Sequence, residues 1–235
     1  MRVLVVTAVP VERDAVTRAF GDGSEVSVRR VPGAEIHRAG PFDVLAGEAG
    51  PAAAAASAAF ALASDRYDLV ISAGIGGGFA GVAPVGSLVV AGRVIAADLG
   101  AETAGGFVPV TALGFGRDRH HPPGPLVRAV ADATRAVTGD ILTVSTVTGS
   151  AERAAALLAA HPGAAAEAME GFGVAEAADR LGLPVLELRA VSNAVGPRDR
   201  DAWRIGDALA ALTDAFGKLI PVLEGWTTHH DRHDS

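Results

Sequence analysis

The sequence predicts a single-domain α/β protein with a central, mostly parallel or mixed sheet and helices on both faces. Short runs of β-branched and other apolar residues lack polar alternation, which is typical of strands covered on both faces. Ala-rich helical stretches separate several of these runs, and this alternation favours a layered α/β fold. The chain has 235 residues, of which 49% are hydrophobic, so it is long enough to bury one such core.

The predicted elements follow one another along the chain. Strands are predicted over residues 3–6, 43–46, 69–71, 88–90, 141–147 and 185–191, and helices over 51–63, 150–160, 171–181 and 207–223. Ser150 is typical of a helix start, and the Gly-Leu-Pro sequence at 182–184 is typical of a helix end. The Gly- and Pro-rich segment 98–125 is interpreted as a long excursion that walls a pocket or contacts a partner subunit.

The single domain is expected to span residues 1–226. Residues 227–235 are polar and include His229, His230 and His233, and we expect a solvated, disordered tail rather than a metal site. The apolar start of the chain is interrupted by Glu12, Arg13 and Asp14, which favours a buried first strand over a signal peptide.

Composition narrows the class of function. The formal net charge is -7 and the basic residues are scattered, so the sequence gives no sign of a nucleic-acid or anionic membrane partner. No apolar stretch reaches the roughly 18 residues of a membrane-spanning helix. The chain has no cysteine, which excludes thiolate catalysis and Cys-based metal sites. We therefore expect a cytoplasmic protein that acts on a small molecule without a metal or cofactor.

A glycine cluster over residues 74–81 follows a predicted strand. Gly76 to Gly81 match G-x-G-x-x-G, which hints at dinucleotide binding. The dinucleotide fingerprint requires a helix directly afterwards, but Pro84, Gly86 and another strand follow instead. The favoured interpretation is that these glycines let the backbone approach a ligand closely.

Polar residues stand at three places where a predicted strand ends or a helix begins. They are Glu12, the Met169-Glu170 pair, and the segment from Arg189 to Asn193. Taken singly, each also fits a structural role as a helix-start acid, a cap or a turn residue. In this order and spacing the chain resembles the nucleoside phosphorylase and nucleosidase family. It is similar to the 5′-methylthioadenosine/S-adenosylhomocysteine nucleosidases over almost its whole length.

The resemblance implies a role for each matching residue. Glu170 would hold the ribose hydroxyls and Met169 would pack on the sugar, while Glu12 and Arg189 would lie near an attacking water. Glu12 is the expected general base for cleavage through an oxocarbenium-like state. The expected catalytic residues are therefore Glu12, Glu170, Asn193 and Arg189, and the expected substrate-binding residues are Gly76, Gly77, Met169, Ser192 and Phe172.

Departures from the family pattern indicate which nucleophile attacks and which purine leaves. The glycine cluster lacks the arginines that would hold phosphate, so water is the expected nucleophile. Ile75 replaces a serine of the methylthioadenosine nucleosidases, which removes one hydrogen bond to that water. Asn193 replaces their aspartate. Because an amide can donate to a carbonyl that a carboxylate would repel, Asn193 indicates a 6-oxopurine, with Ser192 holding its orientation.

Among the members that use water, a chain with this 6-oxopurine preference and with the segments Gly74 to Phe79 and Met169 to Phe172 resembles the futalosine hydrolase family. The resemblance implies release of hypoxanthine from futalosine in menaquinone biosynthesis, and a homodimer or larger assembly. The aromatic carboxylate on the 5′ side of futalosine needs a wider pocket, for which Phe107, Phe115, His120 and His121 are candidates or else ordinary loop packing. A broader purine nucleosidase acting on inosine, methylthioadenosine or S-adenosylhomocysteine, and a non-catalytic nucleoside-binding sensor, remain as alternatives. A dinucleotide-binding module is a more distant one.

Overall fold

The fold is seen in a computed structural model that describes residues 1–20 and 26–230, with side chains described as far as residue 226. The described strands are β1 (Val3–Thr7), β2 (Ser27–Val31), β3 (Ala34–Ala39), β4 (Phe42–Ala46), β5 (Leu69–Gly78), β6 (Leu88–Ala96), β7 (Gly100–Thr103), β8 (Gly106–Pro109), β9 (Arg119–His120), β10 (Val137–Thr143), β11 (Ala164–Ala168) and β12 (Val185–Ala194). The α-helices are α1 (Pro10–Thr17), α2 (Pro51–Ser64), α3 (Gly124–Thr134), α4 (Ala151–Ala160), α5 (Gly171–Asp179) and α6 (Ile205–His230).

Ten of the described strands form one mixed sheet, which confirms the predicted fold class. The order is β11-β10-β6-β12-β5-β1-β4-β3-β2, with β9 on β6. Strands β4, β1, β5 and β12 are parallel neighbours, whereas β12 and β6 are antiparallel. The end of β5 also pairs antiparallel with β11. The last residues of β5 therefore lie between β12 and β11, and this position places them at the site described below.

Helices cover both faces of the sheet. Helices α2 and α5 contribute to a core cluster on one face, and α1, α3 and α6 contribute to a cluster on the other. Helix α2 packs closely on α5 because Gly173 has no side chain: a Cβ there would overlap the Pro51 carbonyl. The Ser150 hydroxyl accepts a hydrogen bond from the Arg153 amide and caps α4, as the sequence indicates.

The structure differs from the predicted elements in several places. Strand β5 continues into the glycine cluster as far as Gly78, and a turn and strand β6 follow it in place of the helix that a dinucleotide site requires. The strand predicted at 141–147 lies at Val137–Thr143, and β11, the β2–β3 hairpin, α1 and α3 were not predicted. Strand β11 was not predicted because four of its five residues are alanine. Alanine favours helices, so the strand conformation here is set by pairing with neighbouring strands.

The long excursion at 98–125 and the C-terminal segment can also be compared with the prediction. The excursion at 98–125 holds the β7–β8 hairpin, and β9 returns to pair with β6. Helix α6 continues to His230, four residues into the predicted tail, while residues 231–235 lie outside the described part of the chain. Within residues 1–20 and 26–230 no helix is long and apolar enough to cross a membrane.

Candidate active site

A cavity of about 280 Å³ opens at the carboxyl ends of β1, β5 and β12. Ligands of open α/β sheets bind at such strand ends. Its lining comes from several separate segments of the chain: Ala8, Val9, Glu12, Ala49, Ile75, Gly76, Gly77, Val147, Thr148, Glu167, Ala168, Met169, Glu170, Ser192, Asn193, Ala194, Val195, Gly196, Pro197, Arg198 and Trp203. Seven of the nine site residues predicted from sequence are in this lining.

Glu12 is fixed at the start of α1. Its Oε2 accepts hydrogen bonds from the amides of Ala8 (2.9 Å) and Val9 (3.2 Å), and its Oε1 accepts one from the Ile75 amide (2.8 Å). Burial raises the pKa of this carboxyl, and the bonds from the Ile75 and Val9 amides and the charge of Arg189 only partly oppose that rise. Glu12 is thus an oriented carboxylate with a stronger affinity for a proton than an exposed one.

Glu170 directly precedes α5 and is also buried. Its carboxylate accepts weak hydrogen bonds from the amides of Gly50 and Met169, both at 3.3 Å. One oxygen lies 3.1 Å from Arg189 Nη1. The carboxylate is therefore held by backbone and by one cation while it still lines the cavity.

Arg189 is fully buried behind the cavity rather than in its lining. Its Nε donates to Glu187 Oε1 at 3.0 Å and its Nη2 donates to Ser72 Oγ at 2.9 Å. Its Nη1 faces Glu170. The sequence places Arg189 near the attacking water, whereas in the structure its guanidinium contacts the side chains that hold the site. Its role in this geometry is to position and balance the carboxylates.

Glu187 completes this buried cluster and was not singled out from the sequence. It is fully buried on β12 beside Arg189. Burial raises its pKa to about 7, against the opposing charge and hydrogen bond of Arg189. Gly171 leaves the space that Glu187 occupies, since a Cβ there would overlap the carboxylate.

Glycines of β5 make room for the polar cluster. A Cβ on Gly74 would lie 2.6 Å from Glu12 Oε1 and 2.8 Å from Arg189 Nη1, closer than real Cβ contacts. A Cβ on Gly77 would lie 2.9 Å from Val195 Cγ2 and 3.3 Å from Asn193 Nδ2. The glycines therefore let neighbouring side chains approach the β5 backbone closely, while close approach of this backbone to a ligand stays a prediction.

Ser192 and Asn193 lie where a β-bulge shifts the register of β12 against β5. The Ser192 hydroxyl is 2.8 Å from Asn193 Oδ1 and 3.3 Å from the Gly76 carbonyl. Asn193 Nδ2 donates to the Ala194 carbonyl at 3.0 Å and keeps a second N–H. Ser192 thus contacts the amide whose orientation it was expected to hold.

The structure places Phe172 outside the cavity lining. It is 7% exposed, belongs to the core, and its ring lies 5.2 Å from that of His120. Phe107, Phe115 and His121 are likewise absent from the described lining, and the two phenylalanines are largely exposed. The assignment of Phe107, Phe115, His120 and His121 to the 5′ pocket stays a prediction, and none of the four lines the cavity of the described chain.

Among the cavity residues that were not predicted, four have polar or aromatic side chains: Thr148, Glu167, Arg198 and Trp203. Glu167 carries a detectable signal, since it is the only charged residue in the apolar run of β11. Arg198 and Trp203 lie in the loop after β12, with the guanidinium carbon 5.4 Å from the centre of the indole ring. Among the residues whose side chains are described, no group of three or more His, Cys, Asp or Glu could hold a metal ion.

Several known proteins are similar to this chain in sequence or in fold. The profile of the Phosphorylase superfamily matches residues 2–221. The chain is 66% identical to a futalosine hydrolase from Streptomyces coelicolor, over 97% of this chain and 99% of that protein. It is 45% identical to a futalosine hydrolase from Acidothermus cellulolyticus, over 92% and 89% of the two chains. The fold also matches the futalosine hydrolase of Helicobacter pylori, with a TM-score of 0.81, 15% identity and coverage of 94% and 97%.

Proposed function

This chain belongs to the phosphorylase superfamily and, within it, to the futalosine hydrolase family, and we propose from this that it cleaves the N-glycosidic bond of futalosine with water. The observation that carries the proposal is the gathering of Glu12, Glu170 and Asn193 around one cavity. Glu12 supplies a general base, Glu170 binds the sugar hydroxyls, and Asn193 binds the purine. The products are hypoxanthine and the remaining 5′-substituted sugar.

The proposed chemistry uses water as the nucleophile. Glu12 accepts a proton from the water as its oxygen bonds to C1′, while the bond from C1′ to purine N9 breaks and its electron pair goes to the purine. The purine takes up a proton from solvent and leaves as neutral hypoxanthine, and Glu12 releases its proton to solvent. Positive charge builds on the sugar in this step, and carboxylates around it stabilise that charge. Arg189 keeps these carboxylates in place from behind the cavity.

The charge of the cavity supports water over phosphate. Its lining holds three glutamates, Glu12, Glu167 and Glu170, but only one arginine, Arg198. Phosphate would meet repulsion from the carboxylates, and the guanidinium of Arg189 is already occupied by Glu187 and Glu170. A phosphorylase would need more positive than negative side chains in this lining to bind phosphate.

The base pocket favours a 6-oxopurine. Asn193 has a free N–H for the O6 carbonyl of hypoxanthine, and its position beside Ser192 limits its rotation. A carboxylate at the same place would favour the amino group of adenine. The same chemistry separates this proposal from the alternative of a broader nucleosidase that acts on methylthioadenosine.

We infer further that the reaction serves menaquinone biosynthesis, takes place in the cytoplasm and is carried out by a homodimer or larger homo-oligomer. The first of these inferences rests on the resemblance to the futalosine hydrolase family. Exposed apolar side chains on the excursion, Phe107 (49% exposed) and Phe115 (67%), support the last.

A substrate panel tests the proposed function. Purified protein is incubated with futalosine, inosine or methylthioadenosine, with and without phosphate, and the released base and sugar are identified. We expect hypoxanthine from futalosine at a rate that phosphate leaves unchanged. A sugar 1-phosphate product would contradict the water mechanism, and a lack of turnover with all three nucleosides would favour a binding protein.

A further inference from the structure

Glu167 is a buried carboxylate in the cavity to which the proposed mechanism gives no task. It lies on β11, is 4% exposed and lines the cavity. Its Oε1 accepts a hydrogen bond from the Thr148 amide at 2.8 Å, and its Oε2 accepts one from the Thr148 hydroxyl at 2.5 Å. Both oxygens are thereby fixed in position. Each carboxylate oxygen can accept two hydrogen bonds, so acceptor capacity remains for a ligand.

The sheet places Glu167 opposite Asn193. In the register of the strands, Gly77 pairs with Glu167 on one side and with Asn193 on the other. Residues at one register on neighbouring strands point to the same face, and two strand spacings separate the outer pair by about 10 Å. Gly77 contributes no side chain between them. The Gly77 backbone therefore lies between the two polar side chains, with Val195 and the Asn193 amide packed over it, and both polar residues line the cavity.

The two purine classes differ at ring nitrogen N1 as well as at position 6. A 6-oxopurine such as hypoxanthine carries a hydrogen on N1 and is a donor there, whereas N1 of adenine is an acceptor. An ionised carboxylate only accepts hydrogen bonds. A carboxylate facing N1 therefore attracts hypoxanthine and repels the lone pair of adenine.

We propose that Glu167 determines base specificity by accepting a hydrogen bond from N1–H of the 6-oxopurine, while Asn193 contacts its O6 and N7 side. This proposal rests on the proposed function and extends it, because it assigns a second residue to recognition of the base. The Thr148 contacts hold the carboxylate in position for this bond. Glu167 makes no contact with the sugar or the water in this arrangement.

The test measures binding of free bases, so it does not depend on turnover. Calorimetric titration compares hypoxanthine with 1-methylhypoxanthine, which lacks the N1 hydrogen, on the unaltered protein and on Glu167→Gln. On the unaltered protein we expect methylation to weaken binding roughly tenfold to a hundredfold, the range for a hydrogen bond to a charged group. In Glu167→Gln hypoxanthine should bind more weakly, and the ratio between the two bases should shrink by at least threefold.

Controls separate a bond to N1 from other causes. Glu152→Gln, at an exposed position on α4, should leave both affinities unchanged. If the methyl group is only too large for the pocket, the ratio stays the same in Glu167→Gln, and the proposal is overturned. Equal binding of the two bases to the unaltered protein overturns it without any variant. Discrimination at N1 in a protein that does not hydrolyse futalosine would contradict the proposed function and leave the role of Glu167 standing.

Discussion

Glu12 is the residue whose replacement tests the water mechanism most directly. Glu12→Gln keeps the shape of the side chain but removes its capacity to take a proton from water. We expect the folded variant to lose roughly 10² to 10⁴ in kcat for futalosine. Glu102→Gln, at an exposed position in the β7–β8 hairpin, serves as the matched control. A loss below about tenfold would remove Glu12 from the role of base.

The pH dependence of the rate follows from the same carboxyl. Burial raises the Glu12 pKa above its ordinary value of 4.5, and only the deprotonated form can act as the base. We therefore expect kcat/KM to fall on acidification through a midpoint above 4.5. A rate that stays constant down to pH 4.5 would contradict this assignment.

Replacement of Asn193 tests whether this residue recognises the 6-position of the purine. In Asn193→Asp a carboxylate faces the O6 carbonyl, so one attraction becomes a repulsion in a partly buried site. The ratio of kcat/KM for futalosine to that for methylthioadenosine should fall by at least tenfold. Sites built around a hydrogen bond can discriminate by roughly 10⁴, although one substitution transfers only part of that factor. A ratio unchanged within about threefold would show that Asn193 does not read this position.

At the scale of elements, the end of β5 provides the space that the polar cluster needs. A Cβ in Gly74→Ala would press on Glu12 and Arg189 at once. We expect a loss of about 1–3 kcal/mol in the free energy of unfolding, as for other overpacked sites, together with a large loss of activity. Denaturant titration and steady-state kinetics measure the two effects.

A glycine in open surroundings provides the comparison for Gly74. Gly217 lies on the exposed side of α6 with nothing within 4 Å of a Cβ. Gly217→Ala should keep full activity and gain about 0.5–1 kcal/mol in stability, because alanine is the better helix former. Equal activity in the two variants would show that the space at Gly74 is not needed by the site.

At the scale of the whole molecule, the buried cluster links stability to pH. Burial raises the pKa of Glu187 from 4.5 to about 7, so the folded state holds this proton more tightly than the unfolded state. The stabilisation is complete below pH 4.5 and is lost as the pH rises towards 7. It amounts to roughly 3 kcal/mol over that interval.

A variant isolates this linkage from the other titrating groups. Glu187→Gln cannot titrate, and its altered hydrogen bond with Arg189 shifts stability by a similar amount at every pH below 4.5, where Glu187 itself is protonated. The unfolding free energy of the unaltered protein minus that of the variant should fall between pH 4.5 and 7 and then level off. A difference that stays flat, or rises, across this range would show that Glu187 is ionised throughout.

Much of the fold was encoded locally and could be predicted from the sequence. Apolar runs without alternation gave the buried strands β1, β4, β5, β6 and β12, and helical periodicity with the Ser150 cap gave α4. Glu12, Glu170 and Asn193 stood out because they are polar residues at the ends of apolar runs. Such signals depend on neighbours in the chain, so a single sequence contains them.

Only the tertiary structure decided which of these residues meet and what lies between them. Strand β11 has the composition of a helix, and its pairing with β10 and β5 brings Glu167 to the cavity. Arg189 proved to stand behind the carboxylates, and Phe172 proved to be core. These outcomes depend on strand register and on burial between segments more than 60 residues apart, as for Glu12 and Ile75. Local periodicity determines that a strand exists, whereas long-range packing determines which side chains it presents to a site.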